Sequence, residues 1–277
     1  MKTLQFDRDA YLQRLNYTGT VAPTVDTLKA LHHVQLHTIP FENFDIQLGR
    51  GIDLESEALF RKLVHNRRGG YCFELNGLFL MALKAFGFDV RALLGRVHIT
   101  GTPTGRGHQV ELITIQGRQW IADVGFGAGT PRSPIPLELD QPTIHDGQTV
   151  RLVNDECFGI MLQALKEDQW IDLYSFDLGH VCPADIDYGN HFTSTHLSSV
   201  FVFARVAALP ADDGVVTLFN DTLKRIVAGR EETQKLSEGQ AYLDALKHYF
   251  GIDLGAPYEK LRPLPGADRR EEQAIES

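Results

Sequence analysis

Cysteine is scarce in this chain: Cys72, Cys157 and Cys182 are the only three in 277 residues, odd in number and far apart. No two of them form a CxxC pair, which argues against a disulfide framework and a cysteine-built zinc site, and no metal set is expected. That usage fits a reducing compartment, the cytoplasm first, where a thiol stays available for chemistry. Positive charge is short as well. Lys and Arg number 27 against 36 Asp and Glu, a formal net charge of -9. No basic excess is left to displace counterions from phosphates, so nucleic acid is not an expected partner. No run of about 18 apolar residues occurs, so no membrane span is expected. The opening segment MKTLQFDRDAYLQRLNY lacks the apolar stretch of a signal peptide. Internal repeats and low-complexity linkers are missing too.

What the chain does have is packing material and a change of period. Hydrophobic residues make up 43% and charged residues 23%, with 16 Phe and eight Tyr. That is enough for one large domain, or for two or three sub-domains sharing a core. Up to about residue 86 the apolar residues recur at helical spacing. Helices are expected over Asp7 to Asn16, Thr24 to His37, and Glu57 to Val64 with Ser56 as N-cap. The strongest begins at Cys72, where Leu75, Leu78, Phe79, Ala82, Leu83 and Phe86 form one stripe closed by Gly87. From residue 88 to 206 the pattern is that of short strands. They are Val90 to Val97, Gln109 to Ile115, Trp120 to Phe126, Thr149 to Val153, Phe158 to Leu165 and Val200 to Val206. Beyond Leu209 come strands over Val215 to Phe219 and Lys224 to Ala228. A helix follows over Glu238 to Phe250, opened by Ser237, and then a charged tail expected to fray. Helices, then strands, then a mixed cap is an α+β layout.

The segment Arg67-Arg68-Gly69-Gly70-Tyr71-Cys72-Phe73-Glu74 carries the most chemical information. Two glycines allow a sharp turn, and a long helix follows at once, so Cys72 falls at a helix N-terminus. A free cysteine is by default a small buried hydrophobe. Here the helix dipole and unpaired N–H groups favour the thiolate. A free thiol is only about 3% ionised at pH 7, and a depression of two to three units reverses that.

A thiolate nucleophile needs a base, and the base needs an orienting group. His108 and Asp123 are the candidates. The stretch Gly107 to Gly125 reads as a β-hairpin turning around Gln116 to Arg118. With a two-residue loop at Gln116-Gly117, paired positions sum to about 233, so Val110 faces Asp123 and His108 faces Gly125. A loop at Gly117-Arg118 gives a different register. In both, His108 and Asp123 share a face; a three-residue loop separates them. Asp123 also interrupts the apolar run Trp120 to Val124, where a carboxylate is costly unless paired.

RRGGYCFELN, the Phe41-Glu42-Asn43 segment, and the run Trp120-Ile121-Ala122-Asp123-Val124-Gly125-Phe126-Gly127 together resemble the arylamine N-acetyltransferases of bacterial type. The resemblance runs from about Tyr11 to Phe250. It implies a Cys-His-Asp triad of Cys72, His108 and Asp123 in a papain-like core. It further implies a helical bundle over 1–87, a β-barrel over 88–206 and an α/β lid over 207–277. Acetyl-CoA becomes the cosubstrate in a ping-pong transfer through an acetyl-cysteine thioester to an arylamine, arylhydroxylamine or hydrazine. Arg14, Glu42 and Arg68 match positions expected to form a buried charge network bracing the nucleophile loop. Asn43-Phe44 stands where Asn-Leu is common in the family, and Gly107-His108-Gln109 is this chain's own version of the histidine segment.

Gly107, Phe126 and Gly127 are candidates for cofactor contact, because the stretch Gly125 to Thr130 lets backbone approach a ligand closely. The same glycines suit a tight barrel turn. Phe126 and Phe201 are candidate walls for an aromatic acceptor. His33 and His37 have a zinc-compatible spacing but no glutamate between them, and read as a helix surface. His191 and His196 lack a partnering carboxylate; Cys157 and Cys182 default to packing. A transglutaminase-like or papain-like cysteine amidase uses the same residue types in the same order and is the competing reading. A redox-sensing thiol on a binding module is a third. The protein is expected to act as a monomer or homodimer.

Overall fold

A computed structural model describes residues 6–211 and 214–264. The expectation of a frayed tail falls outside the described residues from 265 on. The helices come first. Helix α1 (Arg8–Arg14) is opened by Asp7, whose carboxylate accepts the Ala10 N–H at 2.9 Å. Helix α2 (Val25–Thr38) is capped by Thr24. Pro40 then leads into a two-residue strand β1 (Phe41–Glu42) and a short helix α3 (Phe44–Gln47). Helix α4 (Ser56–Phe60) runs on as a π-turn over Arg61–His65. Ser56 is its first residue rather than its cap; Glu55 takes that place with no side-chain bond. Helix α5 (Cys72–Ala85) is the longest apolar stripe, and Gly87 ends it at φ +86°, where only glycine is comfortable. Leu28 and Leu31 of α2 share a core with Leu75, Leu78, Phe79, Ala82 and Leu83 of α5.

Eight antiparallel strands follow: β2 (Asp89–Val97), β3 (His108–Ile115), β4 (Arg118–Ala122), β5 (Ile135–Pro136), β6 (Thr143–His145), β7 (Gln148–Asp155), β8 (Gly159–Lys166) and β9 (Gln169–Phe176). Their order in the sheet is β5-β4-β3-β2-β9-β8-β7-β6. A bridge between Leu139 and Leu152 draws the two ends toward each other, giving a nearly closed barrel. Leu93, Val110, Leu112, Ile121, Leu152 and Leu162 fill its interior.

The hairpin between β3 and β4 turns at Gln116 (φ 50°) and Gly117 (φ 79°), and pairs Ile115 with Arg118. Both loop residues at positive φ make a type I′ turn, and the pairing is the 233 register. Strand β4 stops at Ala122 instead of continuing to Phe126. Past that point the Val124 N–H bonds the Asn76 side chain and the Gly125 N–H bonds Asp123, so the backbone leaves the ladder.

Helix α6 (Pro183–Thr195) and helical turn α7 (Val200–Phe203) precede the second sheet. The expected strand Val200 to Val206 is this turn instead. The Asn43 and Gln47 amides bind the carbonyls of Phe201 and Ala204, which keeps the segment curled. Strands β10 (Val206–Ala211), β11 (Gly214–Phe219), β12 (Thr222–Val227) and β13 (Arg230–Lys235) form a sheet in the order β1-β10-β11-β12-β13. Pairing of β1 with β10 fastens this sheet to the N-terminal helices. Helix α8 (Gln240–Phe250) covers it with Tyr242, Leu246 and Phe250. It begins at Gln240, with Gly239 at φ +82° as N-cap, so the Ser237 capping box is not formed. The architecture is α+β, and no described helix is long and apolar enough to cross a membrane.

Candidate active site

The Arg67–Glu74 segment that leads into α5 is held by close backbone packing. A Cβ on Gly69 would lie 2.1 Å from the Pro40 carbonyl oxygen, and one on Gly70 would lie 2.7 Å from Glu74 Cβ. Neither glycine has a positive φ; that role falls to Arg67 at φ 52°. The pair is therefore needed for close approach rather than for a sharp turn. The Gly70 carbonyl accepts the Glu42 N–H at 2.9 Å, and the Pro40 carbonyl accepts the Gly70 N–H at 3.2 Å. Glu74 reaches back from the first turn of α5 and accepts the Tyr71 N–H at 3.1 Å. These contacts leave Cys72 as the first residue of α5.

Beneath the loop lies a buried ion network. Arg68 donates to Glu42 through Nε (2.9 Å) and Nη2 (2.7 Å), and to Asp45 at 3.3 Å. Lys62 lies 2.7 Å from both Asp45 and Glu74. Arg14, expected in this network, braces the loop through backbone instead: its guanidinium donates to the Leu63 carbonyl at 2.9 Å and to the Arg67 carbonyl at 3.4 Å.

Cys72, His108 and Asp123 are brought together, with 4%, 2% and 1% of their surface exposed. His108 Nε2 and Asp123 Oδ2 are 2.8 Å apart, which leaves His108 Nδ1 uncommitted to the carboxylate. The Cys72 thiol donates to the carbonyl of Gly107, the residue before His108, at 3.6 Å. From the other side, a Cβ on Gly125 would lie 2.9 Å from Cys72 Cα, so only glycine lets the Asp123 loop seat against the start of α5. Burial works against the Asp123 carboxylate. Even so, the charge and hydrogen bond of His108, with Asn76 and the Gly125 N–H, hold it below the usual range. For Cys72 the balance goes the other way from the expected depression. Burial, then the Asp123 charge, pushes the thiol up, against N–H groups of Phe73 and Gln109 that favour the anion.

The ring of Phe126 lies 4.9 Å from that of His108, so this side chain walls the site. Phe201 sits 5.6 Å from Tyr71, one residue from the sulfur. Gly107 faces Thr193 of α6, whose Oγ1 a Cβ would meet at 3.0 Å, and Gly127 sits at φ 63° in the turn after Phe126. His191 and His196 are remote from these groups in role; His196 stacks on Phe192 at 4.4 Å. Cys157 is exposed, so packing does not explain it, and Cys182 is half-buried at the start of α6.

A family model described as N-acetyltransferase matches residues 24–258. The chain is 38% identical to the arylamine N-acetyltransferase of Mycobacterium tuberculosis, over 96% of this chain and 99% of that one. It is 39% identical to an arylamine N-acetyltransferase / N-hydroxyarylamine O-acetyltransferase of Salmonella typhimurium, with 88% of each covered. The solved structure of the Mycobacterium marinum arylamine N-acetyltransferase in complex with CoA superposes with a TM-score of 0.87. That pair is 37% identical, with 92% of this chain and 97% of the other covered. The chain belongs to the arylamine N-acetyltransferase family.

Two further residues of this family member support the site without having been singled out. Asn76, one turn after Cys72, donates to Asp123 Oδ1 (2.9 Å) and to the Gln109 carbonyl (2.6 Å), and accepts the Val124 N–H (2.9 Å). A polar residue inside the apolar stripe of α5, four positions after the cysteine, was the available signal. His32 of α2 is within 2.8 Å of the Asp123 carbonyl oxygen, to which its Nε2–H donates. Burial lowers its pKa to about 4, so the ring is neutral at physiological pH. Its position in the sequence, beside two other histidines, gave no sign of this contact.

Proposed function

We propose that this chain carries out its family's acetyl transfer through a thioester on Cys72, with His108 as acid and base and Asp123 as its orienting partner. The observation that carries the reading is the 2.8 Å His108–Asp123 pair buried beside a sulfur at the start of α5. Acetyl-CoA is the acetyl donor and an arylamine the acceptor, as membership of the family implies. A lone buried thiolate is penalised. Passing the thiol proton to His108 Nδ1 creates a thiolate–imidazolium pair that is neutral overall and can be buried at lower cost. The sulfur then attacks the thioester carbonyl. The tetrahedral oxyanion is received by N–H groups at the start of α5, that of Cys72 among them, with a second from the Gly107–His108 loop. Each such donor is typically worth about 3–4 kcal/mol. CoA leaves as the thiol, taking the proton from His108. Neutral His108 next removes a proton from the incoming amine as it attacks acetyl-Cys72, the C–S bond breaks to release the amide and return the Cys72 sulfur as the thiolate, and Asp123 offsets the charge on the ring.

Gly107, Phe126 and Gly127 line the approach of the acetyl end of the coenzyme, and Phe126 with Phe201 walls the acceptor ring. Arylhydroxylamines and hydrazines share the exposed nitrogen lone pair or the aromatic body of the arylamine and belong to the same acceptor class. The name of the Salmonella relative includes N-hydroxyarylamine O-acetyltransferase, which supports arylhydroxylamines as acceptors, there through oxygen. We place the activity in the cytoplasm, in a monomer or homodimer, with residues 1–87, 88–206 and 207–277 as helical, barrel and lid portions. A screen of aromatic amines, hydroxylamines and hydrazines with acetyl-CoA, following thiol release, tests the proposal. Parallel double-reciprocal lines across fixed acceptor concentrations are the expected result. Intersecting lines, or amide hydrolysis with no use of acetyl-CoA, would favour direct transfer or the amidase reading instead.

A further inference from the structure

His33 and His37 lie four residues apart on helix α2, and on sequence alone they lack a third ligand. The fold supplies one. Strands β6 and β7 are joined by the two-residue turn Asp146-Gly147, with His145 paired to Gln148. Asp146 (φ 47°) and Gly147 (φ 73°) both take positive φ, the tight I′ geometry that fixes where the turn's side chains begin. That turn sets Asp146 Oδ2 at 3.8 Å from His33 Nδ1. Among the described residues, one ligand atom each from His33, His37 and Asp146 can be chosen so that all lie within 4.8 Å of one another.

The second contact of His37 sets its tautomer. His37 Nδ1 is 2.7 Å from the His33 carbonyl oxygen, an acceptor, so Nδ1 carries the proton and Nε2 keeps its lone pair. A ring nitrogen bonded to a backbone carbonyl, leaving the other nitrogen basic, is the usual arrangement behind a metal-binding histidine. The two rings lie 4.1 Å apart at 33°. The His33 and Asp146 side chains are 45% and 37% exposed, while His37 Nε2 is buried behind them.

We propose that His33, His37 and Asp146 form a binding site for a divalent first-row cation of the zinc type, bridging helix α2 and the β6–β7 turn. Two imidazoles and one carboxylate suit zinc, with the remaining position taken by water. Ligands at about 2.0–2.1 Å from a tetrahedral ion stand roughly 3.3–3.5 Å apart, so the present spread closes by about an ångström through side-chain rotation alone. Arg132, near enough for its charge to interact with Asp146, is the cation that the ion must displace or share. The bound ion clamps the helical part of the chain to the barrel. It stands on the same helix as His32, which holds the Asp123 carbonyl.

Zinc binding by calorimetry tests this, on a chain with Cys72, Cys157 and Cys182 all replaced by serine so that thiolates do not compete. One ion per chain is expected, with affinity at least tenfold weaker in the added variants His37→Ala and Asp146→Asn. The unaltered chain loaded with cobalt(II) alone gives a second readout that does not depend on the serine variant folding. Its spectrum should show ligand-field bands that His37→Ala removes, beyond any thiolate-to-metal charge transfer. The acetyl-transfer rate of metal-free His37→Ala should match that of the metal-free parent. The proposal is overturned by unchanged zinc affinity in both variants, by no zinc binding to the folded serine variant, or by a cobalt spectrum insensitive to His37→Ala.

Discussion

Two buried charged clusters lie on either side of Tyr71 and Cys72, and they behave differently. In the first, Arg68, Glu42, Asp45, Lys62 and Glu74 are linked by contacts of 2.7–3.3 Å, each cation facing two carboxylates. In the second, Asp123 takes hydrogen bonds from His108, Asn76 and the Gly125 N–H, while His108 keeps one nitrogen outside that set and the Cys72 thiol bonds the carbonyl of the preceding Gly107. Burial of charge is common to both. What separates them is an imidazole with one nitrogen outside the carboxylate pair, which suits the second cluster to the proposed chemistry, whereas the first braces the loop.

Substitutions should divide along that line. The largest effect belongs to Cys72→Ala, which should abolish acetyl transfer while leaving the melting temperature near that of the parent, read by circular dichroism. Asp123→Asn keeps the shape but holds the imidazole less well in its working tautomer, and kcat should fall by roughly 10³–10⁴-fold. Arg68→Ala acts on the other cluster and should read as stability. Stranding Glu42 and Asp45 costs about 3–5 kcal/mol in denaturant unfolding, with a smaller loss of activity per folded molecule. Asn76→Ala removes one donor from Asp123, and should lower kcat by about 5–150-fold, the equivalent of roughly 1–3 kcal/mol. The smallest effect is a pH dependence. Burial raises the Asp45 carboxyl, but Lys62, Arg68 and Arg50 outweigh it and its folded pKa is depressed. Its share of stability is therefore present above the unfolded value near 3.9 and is lost as pH falls through the lower folded value. In Asp45→Asn the acid limb of the unfolding midpoint against pH should flatten, while that in Cys72→Ala keeps the parent slope.

The α5 stripe, the I′ hairpin and the His108–Asp123 pair were legible because each rests on local pattern: helical spacing from Leu75 to Phe86, the Gln116-Gly117 turn, a carboxylate breaking an apolar run. What could not be read depends on contacts between distant segments. Asn43 and Gln47 curl Val200–Phe203 into a turn across more than 150 positions, against its β propensity. Strand β13 is exposed and polar throughout, so it has no alternation to read, and only its pairing with β12 makes it a strand. The thiol was expected to be depressed because the helix start is local and visible. Part of the burial that pushes it up comes from the Asp123 loop, which seats Gly125 against the start of α5 and is neither.

The most direct test is the mass of the protein after brief incubation with acetyl-CoA and no acceptor, followed by peptide mapping. The account predicts a gain of one acetyl group, on the peptide holding Cys72, discharged when an arylamine is added and slowed in Asp123→Asn. An unmodified protein, or an acetyl group confined to Cys157 or Cys182, would contradict it.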